Sequence, residues 1–161
     1  MVILILDIVI FIPETCFNPY IAKIMLYPWS LIFIVEDDPV FQDILKKKLE
    51  DKKFSNIKLF SKGEECIRKL NENSTVVFLD FSLGGLNGLD VLKKVKSEKP
   101  KTKVYIVTVI EEKVVMQKCL KAGATNYFVK SDEGMDQLNR VVLRNRWRGF
   151  AAFVKKLLKK S

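Results

Sequence analysis

The chain has 161 residues, of which 48% are apolar and 29% charged, so it is long enough to bury a core and is not disordered in composition. Its 28 Lys and Arg residues exceed its 19 Asp and Glu residues, for a formal net charge of +9, and it contains no histidine. The absence of histidine excludes His-ligated metal sites, Ser-His-Asp triads and histidine acid–base catalysis.

Residues 1–30 form an apolar N-terminal extension that precedes any regular alternation of strands and helices. Residues 2–12 are apolar except for Asp7, but a membrane-spanning helix needs about 20 apolar residues. A basic leader and a small-residue cleavage site, which mark a signal peptide, are not evident. Two interpretations stay open: an extra strand or helix against the edge of a sheet, or sequence upstream of a later start at Met25.

The first predicted strand and helix begin at residue 31. The apolar run at residues 31–35, LIFIV, is typical of a strand buried on both faces. Asp38 followed by Pro39 predicts a helix start, with a capping carboxylate and a proline at the first helical position. The apolar residues of this helix recur at helical spacing, with Lys46, Lys47 and Lys48 exposed between them, as on the inward apolar stripe of a surface helix; they are Val40, Ile44, Leu45 and Leu49.

Further strands and helices alternate to the end of the predicted domain. The predicted strands cover residues 57–61, 75–79, 103–107 and 126–129. The predicted helices cover 63–71 and 112–122, with one between them that carries Leu89, Leu92 and Val95 on its inward side and a fifth from Asp132. Pro100 ends the third helix and Gly123 ends the fourth. The order βαβαβαβαβα predicts an α/β fold, a doubly wound five-stranded parallel sheet with helices on both faces.

Polar side chains with complementary chemistry stand immediately after four of the five predicted strands. In chain order they are Glu36-Asp37-Asp38, Asp80, Thr108 and Lys130. Taken singly, each has a simpler role as a helix cap, a turn former, a strand residue or a surface charge. Because the carboxyl ends of parallel strands meet at one edge of a sheet, we expect these side chains to form one site.

The chemistry of this cluster favours phosphoryl transfer at a magnesium site. Several carboxylates at one point repel one another unless a cation joins them, and ligands that are all oxygen favour Mg²⁺ over zinc or copper. One carboxylate could then attack phosphorus, while an ammonium and a hydroxyl group donate hydrogen bonds to the phosphoryl oxygens.

The segments that carry these residues resemble a known family. The stretches IFIVEDDPVFQDIL, VVFLDFSLGGLNGLDVLKKVK, VYIVT and LKAGATNYFVKS occur in this order within residues 31–146. They are similar to the receiver domains of two-component response regulators, in particular to chemotaxis-type single-domain regulators. The resemblance implies a flavodoxin-like (βα)5 fold and a domain at residues 31–146.

The resemblance also implies a role for each site residue. Asp80 would be the phosphoacceptor, Lys130 would pair with it or with the phosphoryl group, and Thr108 would bond a phosphoryl oxygen while Tyr127 changes rotamer. The implied protein ligands of Mg²⁺ are Glu36, Asp37, Asp80 and the backbone carbonyl of Ser82.

The resemblance implies a switch rather than an enzyme, apart from self-catalysed phosphotransfer and autodephosphorylation. A sensor histidine kinase or phosphotransfer protein would supply the phosphoryl group. The fourth helix, fifth strand and fifth helix would form the surface that contacts a downstream target or a second copy. A related class, the aspartyl-phosphate phosphatases, needs a second Asp where Ser82 stands. The alternative is the receiver part of a DNA-binding transcriptional regulator whose output domain lies outside this chain.

Three positions depart from the family pattern. Ser131 replaces a proline that family members join to the preceding lysine by a cis bond, so either bond geometry is open here. Val109 and Ile110 are bulky where the first of the two positions is usually small. We expect them to hinder the water that hydrolyses the phosphoaspartate, and we predict slow autodephosphorylation.

Residues 147–161 form a basic amphipathic tail. Residues 148–161 contain five basic residues and no acid, and the apolar positions from Trp147 to Leu158 recur at helical spacing. Three interpretations stay open: packing on the same domain or on a second copy, contact with a membrane surface, and contact with nucleic acid.

The three cysteines, Cys16, Cys66 and Cys119, form no C-x-x-C pair, which argues against a zinc site and indicates a reduced, cytoplasmic protein.

Overall fold

The computed structural model describes residues 2–5, 8–11, 31–70 and 74–143. The chain divides into two compact units, of which the larger is Tyr27–Arg144. The proposed later start at Met25 and the basic tail at residues 147–161 lie outside the described residues. Among those described, no helix has the length and apolar character that a membrane-spanning helix requires.

The smaller unit includes a hairpin near the N-terminus. Strands β1 (Val2–Ile5) and β2 (Ile8–Phe11) pair in antiparallel fashion, with Val2 opposite Phe11 and Ile5 opposite Ile8. They make a two-stranded sheet of their own. Residues 2–5 and 8–11 of the apolar N-terminal run therefore form strands that pair with each other.

The larger unit alternates strands and helices as the sequence predicts. The strands are β3 (Leu31–Val35), β4 (Ile57–Phe60), β5 (Ser74–Leu79), β6 (Lys103–Thr108) and β7 (Asn126–Val129). The helices are α1 (Pro39–Asp51), α2 (Gly63–Lys69), α3 (Gly88–Glu98), α4 (Lys113–Lys121) and α5 (Asp132–Leu138), which continues into a π-helical turn at Asn139–Leu143. All five strands are parallel, in the order β4-β3-β5-β6-β7, which confirms the predicted doubly wound, flavodoxin-like fold.

The central strands consist of continuous apolar sequence, which suits strands that are buried on both faces. Every residue of β3 is buried, as are the last four residues of β5, because helices cover both faces of the sheet. One face packs against the inward sides of α2, α3 and α4. The buried residues there include Phe33, Val77, Cys66, Leu92, Ile106 and Cys119.

The inward face of α1 is narrower than the sequence predicts. Leu45 and Leu49 are buried, whereas Val40 is 66% exposed and Ile44 is 45% exposed. The reason is angular: Leu45 and Leu49 stand one turn apart on one side of the helix, and Val40 and Ile44 form their own row about 100° away. The prediction that all four form the inward stripe was therefore wrong for Val40 and Ile44.

The predicted helix ends follow capping chemistry. The Val40 amide donates to the Asp38 side chain over 2.9 Å, and Pro39 is the first helical residue. Gly123 has a φ of +99°, a left-handed conformation that favours glycine, directly after the end of α4. Both signals are confirmed. Thr108 is the last residue of β6 rather than the residue that follows it.

Candidate functional site

The site lies where the strand order changes direction. Chain order runs from β3 outward to β4 on one side and to β5 on the other, and the carboxyl ends of these strands bound a crevice. Glu36 and Asp37 follow β3, and Asp80 follows β5. One carboxylate oxygen from each of the three lies within 4.8 Å of the other two. The fold thus brings together the acids that the sequence predicts.

Lys130 joins this acidic cluster from the end of β7. Its Nζ atom lies 2.7 Å from Glu36 Oε2 and 2.9 Å from Asp80 Oδ2. The lysine side chain is 9% exposed, and the two carboxylates are 3% and 5% exposed. A buried ammonium between two buried carboxylates stabilises both, so loss of the lysine would leave two buried carboxylates without their cation.

Burial and this ion pair set the acid–base properties of the cluster. Burial raises the pKa of Glu36 to about 7, although its bond to Lys130 acts in the opposite direction and favours the carboxylate. Burial alone lowers the pKa of Lys130, but its bonds to Glu36 and Asp80 more than offset this, so the pKa is raised. The lysine therefore remains a cation near neutral pH, while Glu36 exchanges its proton in that range.

The two other acids of the predicted triplet act differently. Asp37 is exposed, and its Oδ2 accepts a hydrogen bond from the Gly84 amide at 3.1 Å, which ties it to the loop between β5 and α3. In the same loop the Ser82 amide donates to Asp80 Oδ1 over 3.2 Å. Asp38 caps α1 and serves the structure of the helix.

Thr108 and Tyr127 converge on Ile110 rather than on the acids. Thr108 is fully buried, and its Oγ1 accepts from the Ile110 amide at 3.5 Å. The Tyr127 hydroxyl donates to the Ile110 carbonyl over 2.8 Å, and burial is the main factor that raises the pKa of this phenol to about 12. Because β6 lies between β5 and β7, Thr108 stands at the strand end between those of Asp80 and Lys130.

Sequence reasoning missed two residues of α1 that face the site. The Phe41 ring lies under the ammonium of Lys130, with its centroid 4.4 Å from Nζ. The Gln42 amide group donates to the backbone carbonyls of Glu36, at 3.1 Å, and Phe60, at 3.2 Å, and so links the ends of β3 and β4. The available signal was their position in the first two turns of the helix that follows the acidic triplet, which places them near the site.

Ser131 has a structural role in place of the proline of the family pattern. Among the described residues every peptide bond is trans, including Lys130–Ser131, which answers the question that the sequence left open. The Ser131 hydroxyl accepts from the Gly134 amide at 3.2 Å and caps α5. The residue after the site lysine thus begins the helix that follows it.

The fold and the site together define a flavodoxin-like α/β protein with a lysine-bridged acidic site at the switch point of its sheet. The sequence model of the response regulator receiver domain family matches residues 32–142, and the chain belongs to this family. It therefore contains the receiver domain of a two-component response regulator.

Proteins of known sequence and structure agree with this membership. A cyclic di-GMP phosphodiesterase of Thermotoga maritima is 31% identical over 118 residues, which cover 71% of this chain and 31% of that protein. Chemotaxis protein CheY1 of Helicobacter pylori is 30% identical over 103 residues, covering 62% of this chain and 83% of that protein. The BeF3-activated DrrB receiver domain of Thermotoga maritima has a TM-score of 0.62 at 27% identity, and the match covers 70% of this chain and 94% of that one.

The chain spans only part of several relatives. It matches 31% of the length of the phosphodiesterase and 55% of a nitrate/nitrite response regulator homolog from Haemophilus influenzae. The similarity therefore concerns the receiver domains of those longer proteins and not their other parts.

Proposed function

We propose that the chain is a phosphorylation switch in which Asp80 accepts a phosphoryl group in a Mg²⁺-dependent reaction. The observation that carries this proposal is the placement of Asp80. It is 5% exposed, one of its oxygens lies 2.9 Å from the Lys130 ammonium, and it shares a cluster with the carboxylates of Glu36 and Asp37.

The donor set of this cluster fits Mg²⁺. The ligands on offer are oxygens only, and two of the carboxylates are buried side by side, an arrangement that a divalent cation would stabilise. The residues that would hold the ion are Glu36, Asp37, Asp80 and the backbone carbonyl of Ser82. When bound, Mg²⁺ would neutralise negative charge on the phosphoryl oxygens.

The protein groups supply the remaining chemistry. One carboxylate oxygen of Asp80 forms the new bond to phosphorus as the bond from phosphorus to the donor imidazole nitrogen breaks and its electron pair returns to that nitrogen. The Lys130 ammonium and the Thr108 hydroxyl donate to the phosphoryl oxygens. The donor would be a phosphohistidine of a sensor histidine kinase or phosphotransfer protein.

The change at the site would reach a surface through Ile110. Thr108 and Tyr127 both bond the backbone of this residue, so a move of the threonine hydroxyl toward a phosphoryl group would alter the loop that the tyrosine holds. Helix α4, strand β7 and helix α5 flank that loop and would form the surface for a downstream target or a dimer partner. In this scheme residues 31–146 are the receiver, residues 1–30 are an extension, and the tail at 147–161 is a second candidate for self-association.

Two further assignments belong to the same proposal. Ser82 is exposed and stands where an aspartyl-phosphate phosphatase would need an acid–base aspartate, which supports a switch rather than an enzyme. Cys66 and Cys119 are buried free thiols, and burial raises the pKa of the Cys66 thiol to about 12. Unreactive, unpaired cysteines support a cytoplasmic location.

The alternative function is the receiver part of a DNA-binding regulator. It is favoured by similarity to longer proteins such as the transcriptional regulatory protein MalR of Bacillus subtilis, which is 28% identical over 104 residues that cover 44% of its length. The complete reading frame around this sequence would distinguish the two functions.

Phosphorylation of Asp80 is tested by intact-mass measurement after incubation with acetyl phosphate and Mg²⁺. We expect one added phosphoryl group in the parent protein and none in Asp80→Asn. The matched control is Asp90→Asn, an exposed acid in the first turn of α3, which should be modified like the parent. Modification of Asp80→Asn to the same extent as the parent would contradict the proposal.

The affinity for Mg²⁺ should rise with pH through the range in which Glu36 loses its proton. With a pKa of about 7, the carboxylate form of Glu36 increases from about one tenth to nine tenths between pH 6 and pH 8, so the affinity should rise about tenfold. Without metal, the raised pKa means that the folded state binds more protons than the unfolded state between the ordinary pKa and 7. The free energy of unfolding should therefore fall as pH rises across that window.

Mg²⁺ titrations followed by the Gly84 amide resonance at pH 6, 7 and 8 measure this dependence. Glu36→Gln should bind more weakly, with little change in affinity over the same range. A parent protein whose affinity does not depend on pH would refute the assignment of Glu36 as a ligand that titrates near neutrality.

Hydrolysis of phosphorylated Asp80 should be slow because of the side chains that follow Thr108. Val109 is 65% exposed and Ile110 is half-buried beside the switch residues, so both stand on the solvent side of Thr108. Val109→Ala should lose its phosphoryl group severalfold faster than the parent, timed by intact mass after removal of the donor. Equal or slower loss from the variant would show that Val109 does not shield the site.

A further inference from the structure

Among the residues that the structure describes, the ammonium of Lys130 has three partners, and one of them is an aromatic ring. Its Nζ atom bonds the carboxylates of Glu36 and Asp80 and lies 4.4 Å from the centroid of the Phe41 ring. The lysine side chain is 9% exposed, and Phe41 is half-buried. A cation over the face of an aromatic ring at this distance is attracted by the negative charge density of that face, and the attraction increases when water is excluded.

The three partners of Lys130 differ in whether the proposed phosphorylation and Mg²⁺ binding would change them. Asp80 loses its free carboxylate when it is phosphorylated. The Glu36 carboxylate would be shared between Lys130 and Mg²⁺. The ring of Phe41 has no ionisable group and offers no ligand to a metal. It is therefore the one described partner of the Lys130 ammonium that stays the same before and after phosphoryl transfer.

We propose that Phe41 is a positioning residue that holds the Lys130 ammonium at the phosphoryl site through the face of its ring. This inference rests on the proposed function. Phe41 lies in the first turn of α1, and this turn is fixed to the ends of β3 and β4 by the Asp38 cap and by Gln42. The ring is thus anchored to the strands that carry the acidic cluster. It keeps the lysine aimed at the position of Asp80 when the carboxylates change their charge.

Simple apolar packing predicts a different dependence on the chemistry of the ring. If Phe41 only fills space, a ring of the same size and lower electron density should serve equally well. If the ring face holds the cation, each fluorine that withdraws electron density should weaken the contact while the shape is retained. For an attraction of ordinary size, the full series should slow phosphorylation by about threefold to tenfold.

The test introduces 4-fluoro-, 3,5-difluoro- and 3,4,5-trifluorophenylalanine at position 41 of the whole chain. Asp80 phosphorylation by acetyl phosphate with Mg²⁺ is timed by intact mass, and the ε-methylene protons of Lys130 are followed by NMR. We expect the rate to fall in proportion to the number of fluorines, and the ring-current shift of those protons to be lost in Phe41→Leu. Phe41→Trp, with the ring type that binds cations best, should keep the parent rate.

Matched controls separate this role from general effects of fluorine. The same three rings at Phe33, a core residue that packs edge-to-face on Phe60, should leave the rate unchanged. A rate that is flat across the Phe41 series, or one that falls equally with the Phe33 series, overturns the positioning role while phosphorylation of the parent still stands. A parent protein that takes no phosphoryl group on Asp80 overturns the proposed function itself.

Discussion

Replacement of Lys130 by alanine is expected to slow Asp80 phosphorylation by about 100-fold, the loss typical of one removed donor to a charged transition state. The same change should lower the free energy of unfolding by about 3 kcal/mol at pH 8, because two buried carboxylates lose the cation between them. The destabilisation should be smaller at pH 6, where Glu36, with its pKa of about 7, is already protonated. Acetyl phosphate kinetics and urea unfolding at both pH values measure the two effects.

The control for Lys130→Ala is Lys93→Ala, which removes an exposed lysine that pairs with Asp90 at 3.9 Å. This change should alter stability and phosphorylation very little, since exposed ion pairs contribute little to stability. A second comparison uses Glu36→Gln, in which the lysine has one charged partner fewer, so that Lys130→Ala should cost less stability in that background. Unchanged stability and phosphorylation in Lys130→Ala would contradict its place in the site.

Replacement of Gly134 by alanine is expected to destabilise the protein by about 3 kcal/mol, at the upper end of the range for overpacked sites. A Cβ atom on Gly134 would overlap the backbone carbonyl oxygen of Val129, the last residue of β7, and a hydrogen-bonded strand backbone cannot move aside as a flexible side chain can. The strain should displace α5 from β7. Because Lys130 stands between these two elements, phosphorylation should slow as well.

Gln137→Ala is the matched control for Gly134→Ala, since Gln137 is an exposed residue of the same helix. It should unfold at nearly the same urea concentration as the parent, because alanine is favourable in a helix. If Gly134→Ala were as stable as this control, the close approach of α5 to β7 would have to be wrong.

Much of the fold was predictable because parallel sheets leave clear marks in a sequence. Continuous apolar runs such as LIFIV identify strands that are covered on both faces, and the Asp38-Pro39 pair marks where the next helix begins. Once the order of strands and helices was known, the acids after the first and third predicted strands had to meet at one edge. The sequence could therefore predict the clustering of Glu36, Asp37 and Asp80 that the structure confirms.

The features that escaped prediction depend on three-dimensional direction rather than on order. The period of a helix identifies rows of apolar residues but does not say which row faces the sheet, so Val40 and Ile44 were wrongly placed inside. The contact of Phe41 with Lys130 joins residues almost ninety positions apart, and no local pattern records it. The cap that Ser131 gives to α5 depends on the direction of its hydroxyl toward the Gly134 amide, which residue order alone does not specify.

The proposal that Asp80 is a Mg²⁺-dependent phosphoacceptor is tested most directly by titration with beryllofluoride, the group present in the activated DrrB receiver domain. With Mg²⁺ present, the amide resonances of Gly84, Thr108 and Tyr127 should move together and saturate in the parent protein and in Asp90→Asn. They should not move in Asp80→Asn or when Mg²⁺ is omitted. Resonances that stay fixed in the parent protein, or that move equally in Asp80→Asn, would contradict a Mg²⁺-dependent phosphoacceptor at Asp80.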